Sequence, residues 1–134
     1  MASLNGKVAL VTGAGQGLGV GIALALAKAG ASVALVGRTV ATLEETAAKI
    51  GEAGGRSHVC RGDVTERASV DEFVAEIQRE LGPVWALVNN AVSAIDQPVE
   101  EVEDANLDMA LRSGVYGSLY TMQACFPAMK ELGG

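Results

Sequence analysis

The sequence contains few residues of the kinds that carry metal, disulfide or histidine chemistry. Its 134 residues include two cysteines, Cys60 and Cys125, and a single histidine, His58. None of the three lies at a metal-ligand spacing, so we expect no metal site. Both cysteines fall in apolar patterns, which predicts free buried thiols and a reducing compartment, the cytoplasm. His58 lies within a strand pattern with no triad partner at a suitable spacing, and we expect it to be structural.

Basic residues and long apolar runs are also scarce. Ten Lys and Arg against sixteen Asp and Glu give a formal net charge of −6, and the basic residues form no stripe. A nucleic-acid partner would therefore lack its usual electrostatic footprint, and we expect none. No apolar run approaches bilayer length, and no charged N-terminal segment precedes an apolar core. We accordingly expect neither membrane insertion nor secretion.

The apolar residues that are present alternate between strand and helix patterns. Short apolar runs typical of strands buried on both faces of a parallel sheet occur at 7–12, 32–37, 57–61 and 84–89. Helical periods lie between them, and each ends near a glycine. Since no linker or repeat interrupts the series, the sequence predicts a single α/β domain over 1–134.

A fourth and longer helix is predicted over 103–132. An acidic run just before it, Glu100, Glu101, Glu103 and Asp104, is typical of a helix start. Seven apolar residues at helical spacing are expected to be buried: Leu107, Leu111, Val115, Leu119, Met122, Phe126 and Met129. Pro127 is expected to kink or end the last turns, and Gly114 to weaken the helix by about 1 kcal/mol relative to alanine.

A glycine-rich loop joins the first strand to the first helix. It has the pattern T-G-x-x-x-G-x-G and comprises Thr12, Gly13, Ala14, Gly15, Gln16, Gly17, Leu18 and Gly19. Phosphate approaches a backbone closely where no side chain intervenes, and the amides of a helix N-terminus attract it. In this strand-loop-helix setting the loop predicts a dinucleotide site.

Two more motifs follow later strands, Gly62-Asp63-Val64-Thr65 and Leu87-Val88-Asn89-Asn90-Ala91. In order and spacing, the three motifs together resemble those of the short-chain dehydrogenase/reductase family over nearly the whole chain. The resemblance implies a Rossmann-like, doubly wound parallel sheet that binds NAD(H) or NADP(H). Here the sheet would be truncated to about four strands in the order 3-2-1-4, with helices on both faces.

The resemblance also implies which residues contact the cofactor. Those around the pyrophosphate and adjoining ribose would be Gly13, Gly15, Gln16, Gly17, Leu18 and Gly19. Asp63 and Val64 would border the adenine. Asn90 and Ala91 would lie along the ribose, and Val92, at a position usually held by glycine, would crowd the nicotinamide side.

The end of the second strand bears on the choice of cofactor. An acidic residue there would accept a hydrogen bond from the ribose 2′-hydroxyl, whereas this chain has Gly37 followed by Arg38. A guanidinium fits a 2′-phosphate, so Arg38 and Thr39 favour NADP(H) over NAD(H). Gln16 weighs against this, because NADP-binding relatives often have a basic residue in the glycine loop. The alternative is an Arg38 that only opens a solvated turn.

Catalytic residues are not found. The family's catalytic Ser and Tyr-x-x-x-Lys follow a later strand, and neither Tyr116 nor Tyr120 has Lys four positions on. Ser113 and Gly114 fill the stretch where relatives carry an Asn of the proton relay. We therefore expect the cofactor-binding half of an alcohol or carbonyl oxidoreductase, inactive as this truncated chain.

Two other interpretations stay open. One is a self-associating α/β scaffold whose glycine loop is inherited and binds no cofactor. The other is that the chain is one part of a longer, active oxidoreductase. A fourth strand without a neighbour is an apolar edge, and the long helix has its own apolar stripe to cover. Both features predict a homo-oligomer.

Overall fold

The computed structural model describes residues 3–134. Four strands, Val8–Thr12 (β1), Ser32–Gly37 (β2), Arg56–Arg61 (β3) and Ala86–Val88 (β4), form one parallel sheet in the order β3-β2-β1-β4. Leu10 of β1 pairs with Ala34 of β2 on one side and with Leu87 of β4 on the other. The predicted fold class and strand order are confirmed.

Helices cover both faces of the sheet. They are Gly17–Lys28 (α1), Val40–Glu52 (α2), Arg67–Glu80 (α3), Asp104–Leu111 (α4) and Gly117–Leu132 (α5), with a 3-10 turn at Val99–Glu101 and a π-helical segment at Arg112–Tyr116. One core, containing Ala23 and Leu43, lies between the sheet and α1 and α2. The other, containing Phe73 and Cys125, lies under α3 and α5.

The position of β1 between β2 and β4 explains why its sequence is apolar throughout. Successive side chains of a strand point to opposite faces of the sheet. Val8 and Leu10 accordingly belong to the core under α3 and α5, while Ala9 and Val11 belong to the core under α1 and α2. All of β1 is buried, so neither face can accept a charge.

The fourth strand is shorter than the predicted span of 84–89. It covers Ala86–Val88, and its three residues are half-buried rather than buried. The Trp85 amide still donates to the Val8 carbonyl at 2.8 Å, which extends the pairing by one bond. Because β4 lies at the end of the sheet formed by residues 3–134, it has a neighbour on one side alone, and full burial would require a second.

The long helical region begins where the acidic run indicates. The Glu103 amide donates to the Asn106 side-chain oxygen at 3.1 Å, and α4 starts at Asp104. Pro127 does not end the helix, because α5 runs through it to Leu132, before a left-handed Gly133. A π segment at Arg112–Tyr116, around Gly114, separates α4 from α5.

The predicted burial of the helix stripe is also wrong. Six of the seven apolar residues are exposed: Leu107, Leu111, Val115, Leu119, Met122 and Phe126. Met129 alone of the seven packs against the core under α3 and α5. The residues of α5 that are buried are Gly117, Thr121 and Cys125. Small side chains let α5 lie close to the domain, as at Gly117, where a Cβ would come within 2.8 Å of Val64.

Among residues 3–134, no helix has both the length and the hydropathy that a bilayer crossing requires.

Candidate functional site

A cleft of about 340 Å³ opens at the carboxyl ends of the strands. Its lining includes eleven of the thirteen predicted cofactor residues: Gly13, Gly15, Gln16, Gly17, Arg38, Thr39, Asp63, Val64, Asn90, Ala91 and Val92. Leu18 and Gly19 are not part of the lining. The sequence interpretation missed eight further lining residues: Val36, Gly37, Thr42, Leu43, Gly62, Thr65, Ser93 and Ser113.

Several glycines of the loop are required by close packing. Gly13 and Gly17 have φ of +64° and +54°, which side chains rarely adopt. A Cβ on Gly13 would lie 2.9 Å from the Asn90 side-chain nitrogen. A Cβ on Gly19 would collide with the carbonyl oxygen of Gly13. Gly19 thus sits behind the loop and lets α1 pack against it, while Leu18 is 73% exposed.

A hydrogen-bond network joins this loop to the end of β4. The Thr12 hydroxyl accepts from the amides of Asn90 and Ala91, at 3.1 and 3.0 Å. The Asn90 side chain donates to the Gly13 carbonyl at 3.1 Å. These bonds hold the glycine loop and the end of β4 at a fixed separation across the cleft. Asn90 therefore stabilises the conformation of the glycine loop.

The other side of the loop is held by a residue that the sequence interpretation did not find. The buried hydroxyl of Thr46, on α2, donates to the Ala14 carbonyl at 2.9 Å. Nearby, a Cβ on Gly15 would collide with the Thr42 hydroxyl. Helix α2 therefore packs directly on the loop and fixes its shape.

The start of α1 offers unpaired backbone donors to the cleft. Its N-cap residue, Gln16, makes no capping hydrogen bond with its side chain, and the first turn has no acidic residue. The first amides of a helix have no partner within the helix, and the dipole makes this end positive. The open end of α1 therefore suits an anion.

Charged side chains of the cleft are unevenly arranged. Arg38 is exposed where the chain leaves β2, and its carbonyl accepts from Arg61 Nε at 3.3 Å. Asp63 Oδ1 accepts from the amide and hydroxyl of Thr65, at 2.9 and 2.7 Å. This carboxylate therefore shapes its own turn, whereas Arg38 remains available to a ligand.

Two departures from the family pattern prove to be neighbours. Val92 lines the cleft and is 61% exposed, and a Cβ on Gly114 would lie 3.5 Å from its Cγ2. Beside them, Ser113 Oγ accepts from the Ser93 amide at 2.8 Å and donates to the Met109 carbonyl. The Val92 side chain, larger than the glycine usual at this position, therefore lies next to Gly114, which has no side chain.

The two tyrosines lie outside the cleft lining and pair with arginines. Their ring centroids are 6.1 Å apart, with Arg112 over Tyr116 and Arg67 over Tyr120. Among residues 3–134, the cleft lining contains no Tyr, Lys or His. The carboxylate of this lining belongs to Asp63, which already accepts from Thr65.

Comparison with known proteins decides the family. The family model described as short chain dehydrogenase matches residues 7–134. The chain belongs to the short-chain dehydrogenase family. It is therefore a member of an oxidoreductase family and has the fold that binds nicotinamide cofactors in these proteins.

Two curated relatives illustrate how far the likeness extends. The chain is 37% identical over 126 residues to a sorbitol dehydrogenase of Cereibacter sphaeroides, covering 94% of this chain and 48% of the relative. It is 35% identical to a fatty acyl-CoA reductase of Acinetobacter baylyi, covering 95% and 44% respectively. The chain spans about half the length of these relatives.

Solved structures of short-chain dehydrogenases have the same fold. A short-chain type dehydrogenase/reductase from Mycobacterium marinum superposes with a TM-score of 0.90 at 34% identity, covering 98% of this chain and 53% of that one. A metagenomic short-chain oxidoreductase solved in complex with NADP gives a TM-score of 0.86 at 30% identity, covering 96% and 58%.

Proposed function

We propose that this chain binds NADP(H) as the cofactor-binding portion of an oxidoreductase that acts on an alcohol or a carbonyl compound. The observation that carries the proposal is the uncapped N-terminus of α1, which opens beside the glycine loop into the cleft. A bound nicotinamide would supply the hydride donor or acceptor. The chain's own residues hold and orient it.

The pyrophosphate would lie over the first turn of α1. Gly13, Gly15 and Gly17 line this part of the cleft, and a side chain at Gly15 would collide with Thr42. With no side chains in the way, a phosphate reaches the unpaired amides directly. The Thr12–Asn90 network keeps the loop in this shape before any ligand arrives, which lowers the entropic cost of binding.

The preference for NADP(H) over NAD(H) depends on Arg38. This exposed guanidinium lies in the cleft lining where an acidic residue would otherwise select a 2′-hydroxyl. Asp63 is already engaged with Thr65. A 2′-phosphate would therefore meet the Arg38 guanidinium, with which it forms charge-assisted hydrogen bonds. The metagenomic relative solved with NADP supports this preference.

The test is a titration with NADPH and with NADH, followed by nicotinamide fluorescence and by heat. Arg38→Gln should weaken NADPH binding at least tenfold, a loss of about 1.4 kcal/mol, because the 2′-phosphate loses its cation. NADH affinity should change less than about twofold. Arg56→Gln is the matched control, since Arg56 is exposed and contacts the Glu80 carbonyl, away from the cleft.

Each outcome has a distinct meaning. Equal losses for both cofactors would show that Arg38 supports the fold rather than the 2′-phosphate. Absence of saturable binding by a folded chain would overturn the proposal and favour the scaffold with an inherited loop.

We propose that this chain alone does not reduce a carbonyl. Among residues 3–134, the cleft lining contains no Tyr, Lys or His to supply or withdraw the substrate's proton, and its Asp63 carboxylate is engaged with Thr65. Hydride transfer to or from a substrate is therefore not expected from residues 1–134 by themselves. Steady NADPH oxidation by the purified chain in the presence of aldehydes or ketones would contradict this assignment.

We propose in addition that the chain forms a homo-oligomer through α4 and α5 and the open edge of β4. Nine large hydrophobic side chains of residues 104–132 are exposed, and Phe126 is the most exposed at 61%. Exposed apolar surface on this scale is typical of an interface. Among residues 3–134, the half-buried strand β4 also has no neighbouring strand on its outer side, and such an edge can pair with another chain.

A cytoplasmic location is proposed from the cysteines. Cys60 and Cys125 are both buried and free. Unpaired thiols persist where the compartment is reducing. Fractionation of the expressing cells would test this location directly.

A further inference from the structure

Three metal-binding side chains meet on the outer strand, away from the cleft. His58 and Cys60 lie two residues apart on β3, and the Glu76 side chain approaches them from α3. Their donor atoms all lie within 4.8 Å of one another, and His58 Nε2 is 2.8 Å from Glu76 Oε1. We call this the β3–α3 cluster. The sequence interpretation found no metal-ligand spacing, because Glu76 is distant in the chain from the other two.

The three donors differ in a way that selects a type of metal. A thiolate, an imidazole nitrogen and a carboxylate oxygen form a mixed set, which suits a borderline cation rather than Mg²⁺ or Ca²⁺. We propose that the β3–α3 cluster binds one Zn²⁺-like divalent cation, with His58, Cys60 and Glu76 as ligands and water in the fourth position.

Metal binding requires movements of up to about an ångström, because Cys60 Sγ lies within 4.8 Å of the other two donor atoms and must approach them. Zinc lies about 2.3 Å from a thiolate and about 2.0–2.2 Å from nitrogen or oxygen, so tetrahedral ligands are about 3.3–3.7 Å apart. The His58–Glu76 pair must open from 2.8 Å by about half an ångström, and the metal replaces the hydrogen bond between them. Both side chains are partly exposed, at 26% and 41%, so they have room to move and leave a path from solvent.

Burial and charge shape the site. Burial raises the pKa of the Cys60 thiol to about 12, and the neighbouring Glu76 adds to the effect. Without metal the thiol is therefore neutral. On binding, the S–H bond breaks, sulfur keeps the electron pair for the metal, and the proton leaves to solvent. Arg79 acts in two opposing ways, because its positive charge lowers the pKa of both Glu76 and Cys60, which favours the forms that bind a metal, and also repels a divalent cation.

The expected consequence is structural. β3 is one of the two outer strands of the sheet formed by residues 3–134, and the cluster connects it to α3, which packs against it. None of the three ligands lines the cofactor cleft. A metal that binds the folded chain and not the unfolded one raises the melting temperature. This inference is independent of the proposed NADP(H) binding, and neither result decides the other.

The experiment uses Co²⁺ as the probe, added to the chelator-treated full chain under reducing conditions. We expect one equivalent to bind, with a thiolate-to-cobalt charge-transfer band and tetrahedral d–d bands, and Zn²⁺ to displace it. Cys60→Ser should abolish the charge-transfer band. His58→Gln and Glu76→Gln should each weaken Co²⁺ binding at least tenfold, because each removes one of the three protein ligands.

The second cysteine provides the matched control. Cys125 is buried in the apolar core under α3 and α5, so Cys125→Ser should keep the band. Since Cys60→Ser could unfold the chain, the melting temperature with and without Zn²⁺ is compared for the wild type and for Glu76→Gln, whose side chain is at the surface. A rise in the wild type that Glu76→Gln lacks supports the site. No thiolate band in the folded wild type, or a band that survives Cys60→Ser, overturns it.

Discussion

The region from β1 to α3 and the region from β4 to α5 are built from the same alternation of strand and helix, but they are covered differently. In the first region, β1 is buried throughout and β2 nearly so, the outer strand β3 is only partly buried, and apolar helix faces close both sides. In the second, β4 is half-buried and the helical region exposes its largest apolar side chains. The same strand and helix pattern is therefore buried where residues 3–134 supply a neighbour and exposed where they do not.

Helices α3 and α5 show the difference most clearly. The buried positions of α3 are apolar, among them Val70, Phe73 and Ile77. Those of α5 are Gly117, Thr121 and Cys125. Thr121 is tolerated there because its hydroxyl donates to the Asn89 side-chain oxygen at 2.6 Å. The periodicity of apolar residues therefore identifies an apolar helix face, but not whether the same chain buries it.

Leucines of the two regions test this comparison most strongly. Leu10 is fully buried in β1, so Leu10→Ala should cost about 2–5 kcal/mol of unfolding free energy through lost transfer energy and the cavity left behind. Leu119 is 43% exposed, so Leu119→Ala should change it by no more than about 0.5 kcal/mol. Urea unfolding at dilute concentration measures both. Equal losses would mean that Leu119 is covered within the monomer.

Two glycines of α1 sharpen the comparison within the first region. A Cβ at position 19 collides with the Gly13 carbonyl, so Gly19→Ala should displace the loop and cost about 1–3 kcal/mol of stability. NADPH affinity should fall at least tenfold, or about 1.4 kcal/mol. Gly21 has nothing within 4 Å of a Cβ, so Gly21→Ala is the control and should stabilise the helix by up to about 1 kcal/mol. If the two substitutions behave alike, the tight contact is not what shapes the loop.

The second region is tested through association. Leu119→Ser and Phe126→Ser should each raise the oligomer's dissociation constant at least tenfold, because burying such a side chain contributes about 1.5–3 kcal/mol. Sedimentation velocity over a concentration series measures this. Val99→Ser is the control, since Val99 is 87% exposed but lies in the 3-10 turn before the helix. A wild type that stays monomeric at high concentration would refute the proposed interface.

The fold could be predicted largely from the sequence because its signals are local. Strand runs, glycine stops and the loop motif each lie within a few residues, and the family pattern supplies the strand order. The contacts that hold the glycine loop and the β3–α3 cluster in place could not be predicted in this way. Thr46 reaches Ala14 across 32 residues, and Glu76 joins His58 across 18. Neither has a local signature, because each contact depends on how a helix is placed against the sheet.

The smallest expected effect concerns Val92, which follows β4 in the chain and lines the cleft. It is 61% exposed on the cleft, beside the space that Gly114 leaves open. If Val92 crowds the nicotinamide, Val92→Ala should tighten NADPH binding about threefold, or ~0.6 kcal/mol. The affinity for 2′-phospho-ADP-ribose, which lacks nicotinamide, should stay the same in calorimetry. Tightening of both ligands would locate the effect in the glycine loop, and tightening of neither would mean that the open space at Gly114 already accommodates Val92.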